Sequence, residues 1–423
     1  MRSVEEQQAL VAAAAVAPRP VRVAIAESQG LMCAEEVVTE RPMPGFDQAA
    51  IDGYAVRSVD VLAVGESESG DGADGGRVSG EISLPVMGEI EAGARTPSRL
   101  QPRQAARVQT GAPMPTLADA VLPMRWTDGG QNRVRVLRGV RSGAYVRRTG
   151  DDVQPGDVAV RAGTIIGAAQ VGLLAAVGRD KVLVHPRPRL SVMSVGGELV
   201  DVSRTPGTGQ VYDVNSYALA AAGRDAGAEV NRVGIISTHP GELRETVEGQ
   251  VNRNEIVVIA GAVGGAAAES VRTALAELGD MEVVRIAMHP GSVQGFGQLG
   301  RDRVPVFLLP ANPVSALVVF EVMVRPLIRM SLGKRQPMRR IVSARTLAPI
   351  TSMPGRTGYL RGQLMRDQDT GEYLVQALGG APGASTHLLA TLAEANCLVV
   401  VPSEVEEVRT GETVDVAFLA QRG

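Results

Sequence analysis

Beyond Pro188 the chain alternates short, continuous apolar runs with stretches of helical periodicity. Leu190–Val195, Glu229–Ile236, Glu255–Ala260, Met281–Ala287 and Val304–Leu309 read as strands, and the unbroken apolar run at Glu255–Ala260 marks one buried on both faces. Between them Asp213–Ala226, Gly241–Val251 and Glu269–Leu278 carry helical spacing, and a further helix is predicted over Pro313–Met330. This alternation predicts a parallel, doubly wound sheet. Ligands of such sheets bind beyond the carboxyl ends of the strands, which places Gly196–Glu198, Gly261–Glu269 and Asn312 on one rim. After the Glu255–Ala260 run, a turn containing Gly261, Gly264 and Gly265 leads to the helix beginning at Glu269. A buried strand, a glycine turn and a helix N-terminus together make a cradle for an anion. Yet Gly261–Ala268 contains no Ser, Thr, Lys or Arg, and the next cation is Arg272.

The flanking segments read differently. Ser3, followed by Glu5 and Glu6, caps a helix that runs to about Ala17, where Pro18 stops it. A second helical pattern spans Ile25–Cys33, and Arg41–Val56 is extended, with a tight turn at Asp52-Gly53. From Val61 to about Val140 the text is β-like, interrupted by a polar, acidic loop at Glu66–Gly76. Gly167–Gly178 is helical again. Past Gly333, strands are predicted at Ile341–Ala344, Gly358–Leu364, Glu372–Ala377, Ala395–Val401 and Thr413–Phe418, with a short helix at Thr386–Glu394. A small barrel or sandwich fits this pattern. The expected class is an α/β multidomain protein: a doubly wound parallel α/β domain, elongated β-rich subdomains and a C-terminal small β-barrel. The expected divisions are 1–41 with 142–186, 42–141, 187–333 and 334–423.

At 423 residues the chain exceeds one core, so two to four domains are expected. A net charge of −3 gives no reason to expect nucleic-acid binding. Two cysteines, Cys33 and Cys397, make no disulfide framework, and the four histidines show no zinc spacing. No apolar run approaches a membrane span. The alanine-rich stretch at Ala9–Ala17 lacks a basic n-region, so a cytoplasmic protein with no direct membrane insertion is expected. Met193, Met281, Met288 and Met323 fall on apolar patterns as core residues, Trp126 is expected to pack in the β-rich part, and Arg335–Arg340 reads as a solvated linker.

Several longer motifs carry a family resemblance. Pro44-Gly45-Phe46-Asp47 with Ile51-Asp52-Gly53-Tyr54-Ala55-Val56, then Thr110–Pro115, Arg147 with Gly150-Asp151-Asp152, Asp213-x-Asn215-Ser216, and Leu309–Ala316 occur in one order. The chain resembles the molybdopterin molybdenumtransferase family, which includes the E domain of gephyrin, over nearly its whole length. The resemblance implies a homodimer of four-subdomain protomers that inserts molybdate into adenylylated molybdopterin and releases AMP. It implies Asp52, Thr110, Asp152, Glu198 and Asp213 as catalytic candidates. Gly261, Gly264, Gly265, Glu269, His289, Ser292 and Asn312 fall on the implied ligand rim.

The chain departs from the family pattern along that rim. The family's S-G-G-V-S-V-G-E-x-D falls on Ala260–Glu269, T-G-D-E-L on Val195–Leu199, and K-P-G-K-P on His289–Val293. Hydroxyls and both lysines are lost. At roughly 1.5–3 kcal/mol for each charge-assisted hydrogen bond, two lost lysine contacts weaken an anion by about two to four decades. The reading favoured from these departures is a gephyrin-like scaffold with an eroded site and no cofactor, holding short peptide tails of membrane or tubulin-like division proteins, and recruited by them to membrane or septum. In that reading Tyr359, Pro402, Gln8 and Glu5 are the peptide-binding candidates. The alternative is an active molybdenumtransferase using Mg2+, molybdate and adenylylated molybdopterin.

Overall fold

The strand Ile256–Val263 is buried at every position, as its unbroken apolar text requires. It sits in the middle of a six-stranded sheet in a computed structural model that describes residues 1–16, 18–62, 82–95, 98–379 and 389–419. The acidic stretch Glu66–Gly76 and His387 lie outside the described residues. The chain divides into two compact units, Met1–Val21 with Val184–Gly423, and Arg22–Leu183.

In the first unit the sheet order is Glu229–Ile236, Arg189–Val195, Ile256–Val263, Val304–Pro310, Val293–Leu299, Gly279–Arg285. The first four strands are parallel, with Leu190 opposite Ile256 and Val257 opposite Val306. Val293–Leu299 and Gly279–Arg285 are antiparallel additions. The sheet is therefore mixed where an all-parallel one was expected. Residues 286–292 are too few to carry a crossover, so the two strands must pair antiparallel. Val293–Leu299 escaped the sequence reading because Gly295 and Gly297 interrupt its apolar pattern. Alternate side chains of the parallel strands feed two cores. Val258, Leu190 and Phe307 join one with Val318, Phe320 and Leu327. Val257, Met193 and Val306 join the other with Leu243, Val247 and Val271.

The central strand also runs past the point where a turn was expected. Gly261 lies inside it, at φ +79°, and a Cβ there would stand 2.2 Å from the carbonyl oxygen of Val195. Only glycine lets the two strand ends approach so closely. The turn comes later, at Gly264-Gly265, and the helix runs Ala267–Leu275.

The long helix predicted over Pro313–Met330 is α-helical at Pro313–Val319, widens to a π-turn at Phe320–Val324, and resumes at Arg325–Ser331. A π-turn leaves a carbonyl without its usual partner. Here Gln8 Nε2 donates to the carbonyl of Val322 at 3.1 Å. Gln8 sits on the first helix, Val4–Ala13, which begins with a reciprocal capping box: Glu6 N–H to Ser3 Oγ at 3.0 Å and Ser3 N–H to Glu6 Oε2 at 2.9 Å. Arg339 is no solvated linker residue. Its guanidinium grips both oxygens of Glu321 at 2.9 and 3.0 Å and reaches Asp225 at 3.1 Å.

The C-terminal part closes as a five-stranded barrel. Thr357–Arg366 pairs on one side with Tyr373–Ala377 and on the other with Cys397–Val401, while Ile341–Thr346 and Thr413–Phe418 complete the circuit. Its short helix is described over Leu389–Glu394. The two-residue strand Met288–His289 lies parallel to the start of Thr357–Arg366.

The second unit is built on a five-stranded sheet ordered Ala120–Pro123, Gly53–Val56, Ala105–Val108, Ile82–Ile90, Arg133–Val136. Tyr54 is fully buried in its core, and Trp126 packs edge-on to Tyr145 at 5.8 Å. The helix expected over Ile25–Cys33 is absent. A 3-10 turn at Ile25–Glu27 gives way to a strand at Met32–Cys33, because Gly30 takes φ +82° and breaks the spiral. Ala168–Ala176 is helical as predicted. Among the described residues no helix is long and apolar enough to cross a membrane.

Gly261→Ala combines a left-handed backbone with a collision against Val195. The expected loss is more than about 2 kcal/mol of unfolding free energy by urea denaturation, against less than about 1 kcal/mol for Ala262→Gly in the same strand.

Candidate functional site

Beyond the carboxyl ends of the three central parallel strands lies a cavity of about 240 Å3. Val195, Ala260 and Gly261 end its strands, Ala311 and Pro313 open the following helix, and Leu199, Val211, Tyr212, Val214 and Asn215 form the remaining wall with Glu198. This is the position the sheet topology predicts for a ligand. Among the described residues its lining holds no lysine, arginine or histidine.

Glu198 is exposed at the cavity, and among the described residues its carboxylate has no ion pair or hydrogen bond. It folds back over the backbone of Gly196, where a Cβ would stand 2.8 Å from both of its oxygens. Its own carbonyl accepts from Val211 N–H at 2.9 Å, holding the paired strips Leu199–Val200 and Val211–Tyr212. Asn215 donates from Nδ2 to the carbonyl of Ala311 at 2.8 Å, while its buried Oδ1 has no donor among the described residues. Asp213 does not line the cavity. It is 1% exposed and takes hydrogen bonds from Ser194 Oγ at 2.8 Å, Ser216 N–H at 3.0 Å and Ser216 Oγ. That carboxylate is committed to the start of the Asn215–Ala226 helix.

The rim residues expected together are dispersed over three places. Gly261 and Glu198 share the cavity, and Asn312 caps the next helix, its Oδ1 accepting from Ser315 N–H at 3.0 Å. Gly264 and Glu269 line a separate groove of about 810 Å3, where Glu269 is held by Arg272 at 2.5 Å. Gly265 lies in the turn between them at φ +77°. His289 and Ser292 sit where the α/β layer meets the barrel, with His289 opposite Gly358 in register. Burial, then the charge of Arg356, pushes the His289 imidazole below its ordinary pKa. Arg356 is half-buried, and the one partner its guanidinium has among the described residues is the Met353 thioether at 4.0 Å. Sequence reasoning missed it, because Arg356 lies far along the chain and only the pairing of its neighbours Thr357 and Gly358 with Met288 and His289 brings it to this corner.

In the second unit Asp52 accepts from both Thr110 N–H and Thr110 Oγ, each at 2.7 Å. Those two bonds, the side-chain one first, hold its carboxyl below the usual range. Asp47 and Thr149 repeat the arrangement at 2.7 and 2.8 Å. Asp152 is exposed nearby in sequence, its N–H donating to the carbonyl of Met43 at 3.0 Å. Among the described residues no three acidic, imidazole or thiol groups converge to hold a metal.

Two of the four peptide-groove candidates are engaged within the chain. Tyr359 packs against the α/β core, and burial, with a smaller contribution from Glu5, pushes its phenol up to about 12. Gln8 is tied to Val322 of its own chain. Glu5 and Pro402 are exposed.

Two titrations check these environments. In Thr110→Val, Asp52 is expected to titrate closer to 3.8 than in the parent when followed by carboxyl NMR. His289 stays neutral in the fold to a lower pH than in the unfolded chain. As pH falls below about 6.5 the unfolded chain binds a proton the fold refuses, so stability declines until the folded pKa is reached. His289→Gln is expected to flatten that part of the profile in urea denaturation at pH 5 and 7.

Residues 2–178 match the family description "MoeA N-terminal region (domain I and II)", 191–330 "Probable molybdopterin binding domain", and 343–419 "MoeA C-terminal region (domain IV)". The chain is 83% identical to molybdopterin molybdenumtransferase 1 of Mycobacterium tuberculosis, covering 100% of both chains. It is 37% identical to molybdopterin molybdenumtransferase 2 of the same organism, covering 98% and 99%. A solved MoeA protein from Pyrococcus horikoshii superposes with a TM-score of 0.79 at 29% identity, covering 98% of each chain. A full-length match of this closeness to a protein named as an enzyme overturns the expected gephyrin-like scaffold with an eroded site. The expectation of no cofactor loses its basis with it. The chain belongs to the molybdopterin molybdenumtransferase (MoeA) family.

Proposed function

We propose that this chain is an active molybdopterin molybdenumtransferase, inserting molybdate into adenylylated molybdopterin and releasing AMP. The observation that carries the reading is the 83% identity, over the whole of both chains, to a protein bearing that name. The rim cavity at the carboxyl ends of the parallel strands supports it, as the location such a fold uses for ligands. A homodimer and the four-subdomain division belong to the same reading.

Both substrates are anions, and the two rim lysines of the family pattern are His289 and Ser292 here. Arg356 supplies a cation at that corner. It approaches from the segment entering the barrel, close enough to His289 to disfavour a second positive charge there. A half-buried guanidinium without a carboxylate partner among the described residues suits an oxyanion. A neutral His289 adds a hydrogen-bond donor without competing charge.

The test is AMP release from adenylylated molybdopterin by the purified protein. Release that requires added molybdate is expected, and no release above a protein-free control would sink the reading. In Arg356→Ala the molybdate concentration for half-maximal rate is expected to rise roughly ten- to hundredfold. Arg356→Lys should recover part of that loss.

A further inference from the structure

Asp47 and Asp52 belong to one short segment of the second unit and hold two threonines in the same way. Each takes a pair of hydrogen bonds on a single oxygen, Oδ1. Asp52 accepts from the N–H and Oγ1 of Thr110, and Asp47 accepts from the N–H of Thr149 at 2.7 Å and its Oγ1 at 2.8 Å. Those bonds to Thr149, the backbone one first, hold the Asp47 carboxyl below its usual range. The resemblance implicates Asp52 and Thr110 but is silent on Asp47 and Thr149.

The two grips fasten different loops to the same segment. Gln48–Ala49 pairs with Val146–Arg147, and Gln48 also bridges Pro113. Toward Thr110 the backbone ties are Gly111 N–H to the carbonyl of Ala49 at 2.8 Å and Met114 N–H to that of Asp47 at 2.9 Å. Toward Thr149 they are Gly150 N–H to the carbonyl of Pro44 at 2.9 Å and Asp152 N–H to that of Met43 at 3.0 Å. Thr149 stands at the tip of this second loop. There Arg148 N–H donates to Asp151 Oδ2 at 2.6 Å, and Gly150 turns the chain at φ +77°.

Asp47, Thr149 and Asp152 are all exposed. Hydrogen bonds open to water add little net stability, because water replaces either partner when the bond breaks. The backbone ties at Gly150 and Asp152 hold the base of the loop, whereas the Asp47 clasp holds its tip. What the clasp supplies is therefore placement. A reacting group displaced by about 1 Å can cost a hundredfold in rate, so a bond worth little to the fold can govern turnover.

We propose that Asp47 is a positioning residue of the transferase: by gripping Thr149 it fixes the turn through residues 148–152, and with it the carboxylate of Asp152 relative to Asp52 and Thr110. This rests on the transferase reading and adds to it a residue that acts through another. The negative charge of Asp47 is not itself required. Its oxygen is required, as an acceptor for two donors on Thr149.

The experiment measures AMP release, urea unfolding and amide hydrogen exchange on the full chain. Asp47→Ala is expected to lower kcat at least about tenfold, with KM for adenylylated molybdopterin within about twofold of the parent and an unchanged urea midpoint. Asp47→Asn keeps an acceptor oxygen and is expected to stay within about threefold of the parental rate. Thr149→Ser should match it, and Thr149→Val, which loses the hydroxyl, should be slower than either. An Asp47→Asn variant as slow as Asp47→Ala would show that the charge acts directly and overturn the positioning role. In an Asp152→Asn background, Asp47→Ala should change kcat by less than about twofold, since both losses run through one group. Losses that multiply in full, or an Asp152→Asn variant with parental rate, would overturn the proposal. Exchange of the Gly150 and Asp152 amides reads the loop without turnover. It is expected to be at least about tenfold faster in Asp47→Ala, and parental exchange would overturn the clasp. A parent that releases no AMP sinks the transferase reading instead, and the exchange rates still decide whether Asp47 holds the loop.

Discussion

The approach of Gly261 to the carbonyl of Val195 sets the geometry of the whole rim. Two parallel strands end within backbone contact of each other, which is possible only where one of them carries no Cβ. Because they converge there, the chain leaving Val195 must swing outward through Gly196-Gly197, and the central strand continues to Val263 before it turns. The cavity is the space that this divergence leaves, closed on its far side by the Leu199–Val200 and Val211–Tyr212 strips. The hydrophobic layers above and below keep the strands from relaxing apart, since alternate residues of each strand are buried in different cores.

Polarity is then distributed around the rim by separate devices. Asp213 and Ser216 secure the beginning of one helix, and Asn312 secures another. Of the rim groups, Glu198 and Asn215 Oδ1 have no partner among the described residues, and the guanidinium of Arg356 meets only the Met353 thioether there. They differ in sign and location. The acceptor groups face the sheet cavity, whereas the cation lies at the joint with the barrel.

Much of this was legible in the sequence. The unbroken apolar run before Gly261 located the central strand, and Thr413–Phe418 and Glu229–Ile236 emerged at their predicted bounds. The antiparallel strand Val293–Leu299 was not legible, because glycine at alternate positions erases the periodicity that marks a strand, whereas its partner Gly279–Arg285 was read two residues late as Met281–Ala287. The candidate site suffered from a different blindness. Counting lost lysines and serines along one motif assumes that a binding group must come from that motif. Arg356 comes from a segment more than sixty residues later, and the parallel pairing of Met288–His289 with Thr357–Gly358 brings it beside His289. Inferring an eroded site from local substitutions was therefore unsafe, since recognition surfaces are assembled from distant parts of the chain.

The interrupted first unit also orders events during synthesis. The helix Val4–Ala13 finds its partners at Val322 and at Ile286, where Arg2 forms a parallel bridge. Neither exists when that helix leaves the ribosome. The second unit, Arg22–Leu183, is contiguous and can close first, while the leading helix waits, its apolar side uncovered, for nearly three quarters of the chain to follow. Its capping box, which uses only Ser3 and Glu6, is formed within the segment itself and is available throughout that wait.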